Sequence, residues 1–275
     1  MKRSWRQASA LYGGLAALAL IIGLPFWWVV TGSIKLPREI IQREPTMIPH
    51  SFTLQHFEKL LQASDFPVYL LNSVIVAVFS TAFTVLLALP AAYAFFRMEF
   101  PGRNTLYRTI LLAYAFPGVV VLIPLYGLFA KVGLIDSPVA LVIVNVALAL
   151  PFSIWMMRSF LATVPREIEE AAVVDGAPTT TILLRILMPL IAPGIASVAI
   201  FAFISSWTEY LFASVLIVSD ARRTIPVGFA GIIGQYQIDW GLLLAGATAA
   251  IVPVVALFAF IGRWFVSGLT EGAVK

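Results

Sequence analysis

The sequence contains no cysteine and two histidines, and only 12% of its 275 residues are charged. Without cysteine, neither a disulfide framework nor a thiolate metal site is possible. His50 and His56 do not share a helix face and lack clustered carboxylates, so no metal or catalytic site is expected around them. The sequence also lacks a G-x-x-x-x-G-K-[ST] phosphate loop, so we expect that this chain cannot hydrolyse ATP by itself.

Apolar residues make up 60% of the chain, and the mean hydropathy is +0.95. Soluble domains are roughly half apolar and a quarter charged. We therefore expect an all-α polytopic membrane protein forming a single domain over residues 1–275. The net charge of +4 comes from loops between apolar segments, which argues against nucleic-acid binding.

The apolar segments predict six transmembrane helices, because each is long enough to cross about 30 Å of hydrocarbon at about 1.5 Å per residue. The first is predicted to be an uncleaved span, since it ends in bulky residues rather than at a small-residue cleavage site. The fifth is longer than one crossing needs, which predicts a tilted or projecting helix. The predicted spans are residues 11–30, 68–96, 109–129, 138–157, 191–218 and 241–262.

Six spans place both termini on one side, and the cations indicate which side is cytoplasmic. Two outer loops are predicted, residues 31–66 with a short amphipathic helix near 54–61, and residues 219–240, together with a short outer turn that carries Lys131 and Asp136. Of 18 lysines and arginines, this arrangement puts eleven inside and seven outside, and four of those seven lie in the long first outer loop. The eleven are Lys2, Arg3, Arg6, Arg97, Arg103, Arg108, Arg158, Arg166, Arg185, Arg263 and Lys275.

A polar segment, residues 158–190, separates the fourth and fifth spans and carries helix signals of its own. Pro165 suits a first helical turn, and Gly176 followed by Pro178 predicts a stop. One of the threonines at 179–181 can cap a second short helix that runs to Pro189. We call this predicted helix-turn-helix the elbow.

The first helix of the elbow is predicted to be amphipathic. Helical spacing puts small and apolar residues on one side and the acidic residues Glu169 and Glu170 towards the other. The predicted apolar side consists of Val164, Ile168, Ala171 and Ala172. Such a surface suits docking into a groove on a partner, although the same pattern also fits a helix resting on lipid headgroups. Acidic residues facing anionic lipid argue against the second interpretation.

The spacing of the elbow resembles the "EAA" loop of ABC importer permeases. The motif is Glu170-Ala171-Ala172, then Gly176 after three intervening residues, Ile186 after nine more, and finally Pro189. Together with FAFISSWTEYLFA and the tail GLTEGAVK, it resembles the carbohydrate-uptake branch, the maltose and glycerol-phosphate type, and within it the second permease of the pair. The resemblance implies a type I-like importer fold with a cytoplasmic coupling helix, and covers nearly the whole chain.

The resemblance also implies an assembly in the cytoplasmic membrane. Its expected members are a second permease subunit, two ATPase subunits and an extracytoplasmic substrate-binding protein, within the lipid bilayer. ATP and magnesium would bind the ATPase, and this chain would hold no cofactor or metal and no catalytic residue. The coupling residues implied here are Glu169, Glu170, Ala171, Ala172, Asp175, Gly176 and Pro189.

Polar residues inside spans are candidates for a substrate path, because they are costly to expose to lipid and usually face a cavity. The candidates are Asn72, Asn145, Trp207, Glu209 and Tyr210. Aromatic faces beside amide and carboxylate groups suit a sugar. Equally, the asparagines can tie helices together and the aromatic residues can sit at the membrane interface.

The second outer loop is expected, from the maltose-type resemblance, to probe the sugar site of the docked binding protein. Its predicted tip contains Gly231, Gly234, Gln235 and Tyr236, and the alternative is a plain surface loop. Two other functional classes remain open. An ion-driven carrier could use Pro117-Gly118 and Pro124 as a broken helix but would usually show paired repeats. A membrane-embedded enzyme would need a nucleophile, base or metal set near a span.

Overall fold

The structure, a computed structural model, describes residues 5–233 and 238–271, with side chains described for 11–233 and 238–262. The described residues contain helices and no strands, as predicted. The helices of the amino-terminal half are α1 (Trp5–Gly32), α2 (Pro37–Ile40), α3 (Gln55–Gln62), α4 (Phe66–Arg97), α5 (Arg103–Tyr114), α6 (Gly118–Lys131) and α7 (Pro138–Leu161). The remainder are α8 (Arg166–Val174), α9 (Thr179–Thr181), a π-helical segment (Ile182–Leu187), α10 (Met188–Leu190), α11 (Ala192–Trp207), α12 (Leu211–Leu216), α13 (Ile225–Ile233) and α14 (Trp240–Glu271).

Contacts between Cα atoms divide the chain into two units. The first consists of Met1–Pro67 and Phe229–Val252, and the second of Val68–Gly228 and Pro253–Lys275. Four helical segments of the described chain are each long and apolar enough to cross a membrane: Leu11–Gly32, Phe66–Arg97, Pro138–Leu161 and Trp240–Gly262. These confirm the first, second, fourth and sixth predicted apolar helices.

The first unit contains an ordered segment after α1. The predicted amphipathic helix is confirmed as α3, which buries His56 and Leu60 four positions apart on one side. Lys35 is buried, its ammonium donates to the carbonyl of Thr46, and it lies 4.4 Å from the ring centre of Trp28. The segment is therefore a packed structure with a buried cation, rather than an open loop.

Glu39 and the two histidines have structural partners in this unit. The Glu39 carboxylate accepts hydrogen bonds from the Thr46 hydroxyl at 2.7 Å and from the His50 amide at 3.0 Å. The hydrogen bond from Thr46 is the main influence that lowers the pKa of Glu39. The His56 ring nitrogen Nε2 lies 2.8 Å from the Lys35 carbonyl oxygen.

The third predicted span, residues 109–129, is not one straight helix. In the structure α5 and α6 meet at an angle of 99°. Pro117 precedes α6 in an extended conformation, and a proline disfavours helical geometry in the residue before it. Together the two arms can form one broken crossing or a re-entrant segment.

The fifth predicted span, residues 191–218, is also interrupted. Residues Thr179–Leu190 and α11 meet at an angle of 83°, and α11 ends at Trp207. The Glu209 carboxylate then accepts hydrogen bonds from the amides of Phe212 at 2.6 Å and Ala213 at 3.0 Å. Because these amides lie in the first turn of α12, Glu209 starts a separate short helix instead of continuing a long tilted one.

The core of the second unit connects the elbow with the spans. α7 packs closely on α11, where a Cβ placed on Gly194 would lie 2.4 Å from the Phe160 ring. One buried cluster draws residues from α4, α7, the elbow and α11: Ala88, Leu89, Ala92, Ile154, Met157, Leu161, Val164, Ala172, Ile182, Leu187, Ile191 and Val198. Displacement of the elbow must therefore disturb the packing of the helices behind it.

Candidate functional site

The first arm of the elbow is α8, which starts directly after Pro165 and ends before Gly176. Gly176 has a φ of +77°, a left-handed conformation that costs little for glycine. Its amide donates to the Val173 carbonyl at 3.0 Å, and the Ala177 amide donates to the Ala172 carbonyl at 2.9 Å. This pair of bonds is a Schellman motif, so the predicted stop is confirmed and its geometry is fixed.

The second arm runs from Thr179 to Leu190 through the π segment. The prediction of a threonine cap is wrong: Pro178 occupies the capping position without a side-chain hydrogen bond, and the threonines form the first turn. Pro189 lacks the amide proton that an α-helix would direct to the carbonyl four residues earlier, and the π-helical turn lies immediately before α10. Ile182 and Leu187 of this arm are buried in the core of the second unit.

The orientation predicted for α8 is partly wrong. Ala172 is buried, but Ile168 and Ala171 are exposed and Glu169 is buried. Glu169 and Ala172 are three positions apart and therefore share the inward side of the helix. The burial of Glu169 was not predicted, because no residue near it in the sequence indicated that a cation packs against it.

That cation is Arg97, the last residue of α4. Its Nε lies 2.6 Å from Oε1 of Glu169, and the two side chains are 11% and 8% exposed. Nη2 of Arg97 also donates to the Val164 carbonyl at 2.7 Å and lies 3.4 Å from the Leu161 carbonyl. Tyr93 lies one helical turn before Arg97, and its hydroxyl interacts electrostatically with the Glu169 carboxylate. Three elements, the ends of α4 and α7 and the middle of α8, therefore meet at one guanidinium.

A second arginine, Arg158, packs against aromatic rings beside this ion pair. The Arg158 guanidinium lies 4.9 Å from the centre of the Tyr107 ring and 5.6 Å from that of Phe96. Phe96 is shared, because the Arg97 guanidinium lies 4.6 Å from the same ring centre. The aromatic faces stabilise both cations and join α5 to the ends of α4 and α7.

The outward side of α8 is exposed in the described chain. Val173 and Val174 are 61% and 87% exposed, and Asp175 and Gly176 are also exposed. Glu170 pairs with Arg166 one turn earlier at 3.4 Å, and both side chains are largely exposed. The elbow thus presents an apolar tip flanked by carboxylates.

Comparison with known families identifies this architecture. Residues 84–271, which include the elbow, match the family described as the binding-protein-dependent transport system inner membrane component. The chain belongs to that family. It is therefore a multi-pass inner-membrane permease, and neither its family nor its relatives indicate a catalytic subunit.

Similar proteins extend the match over the whole permease. It is 36% identical over 266 residues to the inner membrane ABC transporter permease protein YcjP of Escherichia coli, covering 96% of this chain and 95% of that relative. It is 33% identical to the diacetylchitobiose uptake system permease protein DasC of Streptomyces coelicolor, with 100% of both chains covered. A chain from a bacterial ABC transporter for the import of alginate has the same fold, with a TM-score of 0.81 at 21% identity, covering 96% of this chain and 100% of that one.

Two predicted path residues of the permease have structural partners. The side-chain amide of Asn72 donates to the carbonyls of Ala221 at 3.0 Å and Arg223 at 2.9 Å. The side-chain amide of Asn145 donates to the Ser206 hydroxyl at 3.0 Å in a buried contact between α7 and α11. Both asparagines therefore tie elements together, which is the alternative that the sequence left open.

The other three path candidates lie at the break after α11. Trp207 is buried and stacks on Phe203 with ring centres 5.5 Å apart. Glu209 caps α12, so its carboxylate is largely occupied. Tyr210 is exposed, which leaves its hydroxyl and ring available to a ligand or a partner.

The predicted tip of the second outer loop is only partly described. Gly231 lies inside α13, whereas it was predicted to lie at the tip of the loop. Gly234, Gln235 and Tyr236 lie outside the described residues. The amide of Ile225, the first residue of α13, donates to the Ser73 hydroxyl at 2.8 Å.

Asp136 is a residue whose importance the sequence did not reveal. Its carboxylate accepts hydrogen bonds from the amides of Val218 and Ser219, both at 3.0 Å, and its own amide donates to the Leu216 carbonyl at 2.7 Å. The hydrogen bond from the Ser219 amide is the largest cause of a lowered pKa at Asp136. The Asp136 backbone is left-handed, with a φ of 58°, a conformation that aspartate tolerates better than most residues.

Proposed function

We propose that this permease is a transmembrane subunit of an ATP-driven carbohydrate importer and that its elbow is the docking site of a separate ATPase subunit. The observation that carries the proposal is the contrast between the two sides of α8. Glu169 and Ala172 are buried on one side, and Val173 and Val174 are exposed on the other. Exposed apolar residues on a rigid helix are typical of a protein interaction site.

The direction of the docking surface follows from the cation distribution. We place the elbow and both termini in the cytoplasm, which puts eleven of the 18 lysines and arginines on that side. ATP and magnesium would then bind the ATPase, on the same side as the elbow. This chain would bind neither.

The proposed mechanism is mechanical. Closure of two ATPase subunits around ATP would shift α8, and the shift would pass into α4, α7 and α11 through the buried cluster that they share with Ala172. Ile168, Ala171, Val173 and Val174 would bury apolar area against the ATPase. The exposed carboxylates of Glu170 and Asp175 would form charge-assisted hydrogen bonds with its arginines or lysines.

The remaining partners lie in and outside the membrane. The most apolar window of Leu11–Gly32 has no buried residue, so this helix offers its surface to lipid and to a second permease subunit. An external binding protein would deliver the substrate, as the name of the family implies. The carbohydrate class is supported by the relative that is named for diacetylchitobiose uptake and by the exposed Tyr210 near Trp207.

The proposal is tested by disrupting the tip of the elbow. Val173→Glu places a charge in the docking surface, and we expect recovery of the co-purified ATPase to fall by roughly tenfold, with uptake falling in parallel. Val132→Glu is the matched control, because Val132 is 59% exposed against 61% for Val173 but follows α6. The measurement is the ATPase recovered per permease from membranes, together with sugar uptake.

Equal ATPase recovery with both variants would contradict docking at the elbow. Uptake by the permease alone, driven by a proton or sodium gradient, would favour an ion-driven carrier instead.

A further inference from the structure

We infer that Arg97 and Glu169 form a buried tether that transmits movement of the elbow to the spans, and that Glu169 is a positioning residue rather than a contact for the ATPase. This inference rests on the proposed function. Glu169 belongs to the acidic run that contains the EAA-like motif, but its side chain faces away from the docking surface.

The burial of the pair makes it a strong mechanical connection. Both side chains are about nine-tenths buried, so breaking the pair leaves each charge buried without its partner, which is costly. An exposed ion pair, by contrast, exchanges its partner for water at little cost. Separation of α8 from α4 is therefore strongly opposed, and the two elements move together.

The other hydrogen bonds of Arg97 extend the tether to a third element. Its guanidinium also contacts the carbonyls of Leu161 and Val164 at and beyond the end of α7. These carbonyls lie at the negative end of the α7 dipole, which favours a cation there. A push on α8 therefore reaches α4 and α7 through one residue, at the ends of two spans.

Glu170 provides the internal comparison. It lies next to Glu169 on the same helix and also pairs with an arginine, but Arg166 belongs to α8 itself and the pair is exposed. This pair links no two elements, so its loss cannot separate α8 from the spans. The two adjacent glutamates therefore have different predicted roles, since Glu169 holds α8 to the spans and Glu170 faces the docking surface.

The competing explanation is that movement of the elbow reaches the spans through the packing of Ala172 and Val164 in the buried cluster. If packing alone carried the movement, neutralising the pair would leave transport per ATP unchanged. Glu169→Gln separates the two explanations, because it preserves the size of the side chain and removes its charge.

The test uses the complete importer reconstituted in proteoliposomes, with sugar uptake and ATP hydrolysis measured together. For Glu169→Gln and for Arg97→Lys we expect uptake per ATP hydrolysed to fall by roughly tenfold while the ATPase stays bound. The control is Asp220→Asn, which removes an exposed ion pair with Arg223 three residues later and lies outside the elbow, and it should keep the wild-type ratio of uptake to hydrolysis. The double variant Arg97→Lys/Glu169→Gln should be no worse than the poorer single variant, because both changes break one interaction.

An unchanged ratio of uptake to hydrolysis in Glu169→Gln would overturn the tether. Release of the ATPase by Glu169→Gln would also overturn it, since the residue would then be a docking contact. If that variant does not accumulate in membranes, Arg97→Lys is decisive, and a normal ratio in it counts against the inference. Failure of the proposed function is distinguishable, because the wild-type permease would then recover no ATPase.

Discussion

At the scale of single residues, Asp136 joins the turn before α7 to the segment after α12. Its carboxylate binds the amides of Val218 and Ser219, and it also lies 3.4 Å from the Arg222 guanidinium. A carboxyl with a lowered pKa stabilises the folded state above its unfolded pKa of about 3.9. That contribution is lost as the pH falls through the lower pKa of the folded state.

We therefore predict that Asp136→Asn lowers the thermal unfolding midpoint at neutral pH and that the difference from wild type shrinks below about pH 4. Asparagine tolerates the left-handed backbone at this position, so the substitution removes the charge without adding strain. Thermal unfolding of both proteins from pH 3 to 7 measures the effect. A difference that is constant over this range would show that the charge of Asp136 contributes nothing.

The residues also show which parts of the site the sequence could predict. Gly176 and Pro178 predicted the end of α8 because their conformational preferences act locally. The inward direction of Glu169 could not be predicted, because it depends on Arg97, which is distant in the sequence. The same limit applies to Glu209, whose capping role depends on where α11 stops.

At the scale of elements, the elbow is a helix-turn-helix whose first arm is closed by backbone hydrogen bonds at Gly176 and Ala177. The spacing of the EAA-like motif was sufficient to locate this element. The bends of 99° and 83° in the broken spans were harder to predict from the sequence. Pro117 was a visible signal for the first bend, but hydropathy alone cannot distinguish a straight apolar helix from a bent pair.

We predict that Gly176→Ala weakens the elbow, because a side chain in the left-handed conformation costs about 1 kcal/mol. The space around Gly176 is open, so the penalty comes from the backbone and not from a clash. Gly127→Ala is the control, since Gly127 is helical and has no neighbouring atom within 4 Å of the added Cβ.

Thermal unfolding midpoints measure this comparison, with uptake per ATP as a second readout. Gly176→Ala should lower the midpoint, whereas Gly127→Ala should raise it because alanine favours helix by about 0.5–1 kcal/mol. An increase in both midpoints would show that the φ of +77° at Gly176 is not required.

At the scale of the whole molecule, the family, the membrane-spanning character and the broad class of function were all predictable from the sequence. Long apolar segments and a motif of fixed spacing can be recognised without knowing which residues pack against them. The roles of Asn72 and Asn145 as ties between elements were left open, since a polar residue in a span fits both a path and a tie. Only the hydrogen-bond partners distinguish these interpretations.

The central claim is that the outward side of α8 touches an ATPase inside the cell. Because the chain has no cysteine, Val174→Cys introduces a unique thiol at the most exposed position of the tip. Val132→Cys serves as the control on the predicted outer side. Thiol crosslinking in intact cells, combined with a membrane-impermeant reagent, is the most direct measurement. We predict that Val174→Cys crosslinks to the ATPase subunit and resists the external reagent, whereas labelling from outside, or no crosslink to any subunit of the assembled importer, would contradict the account.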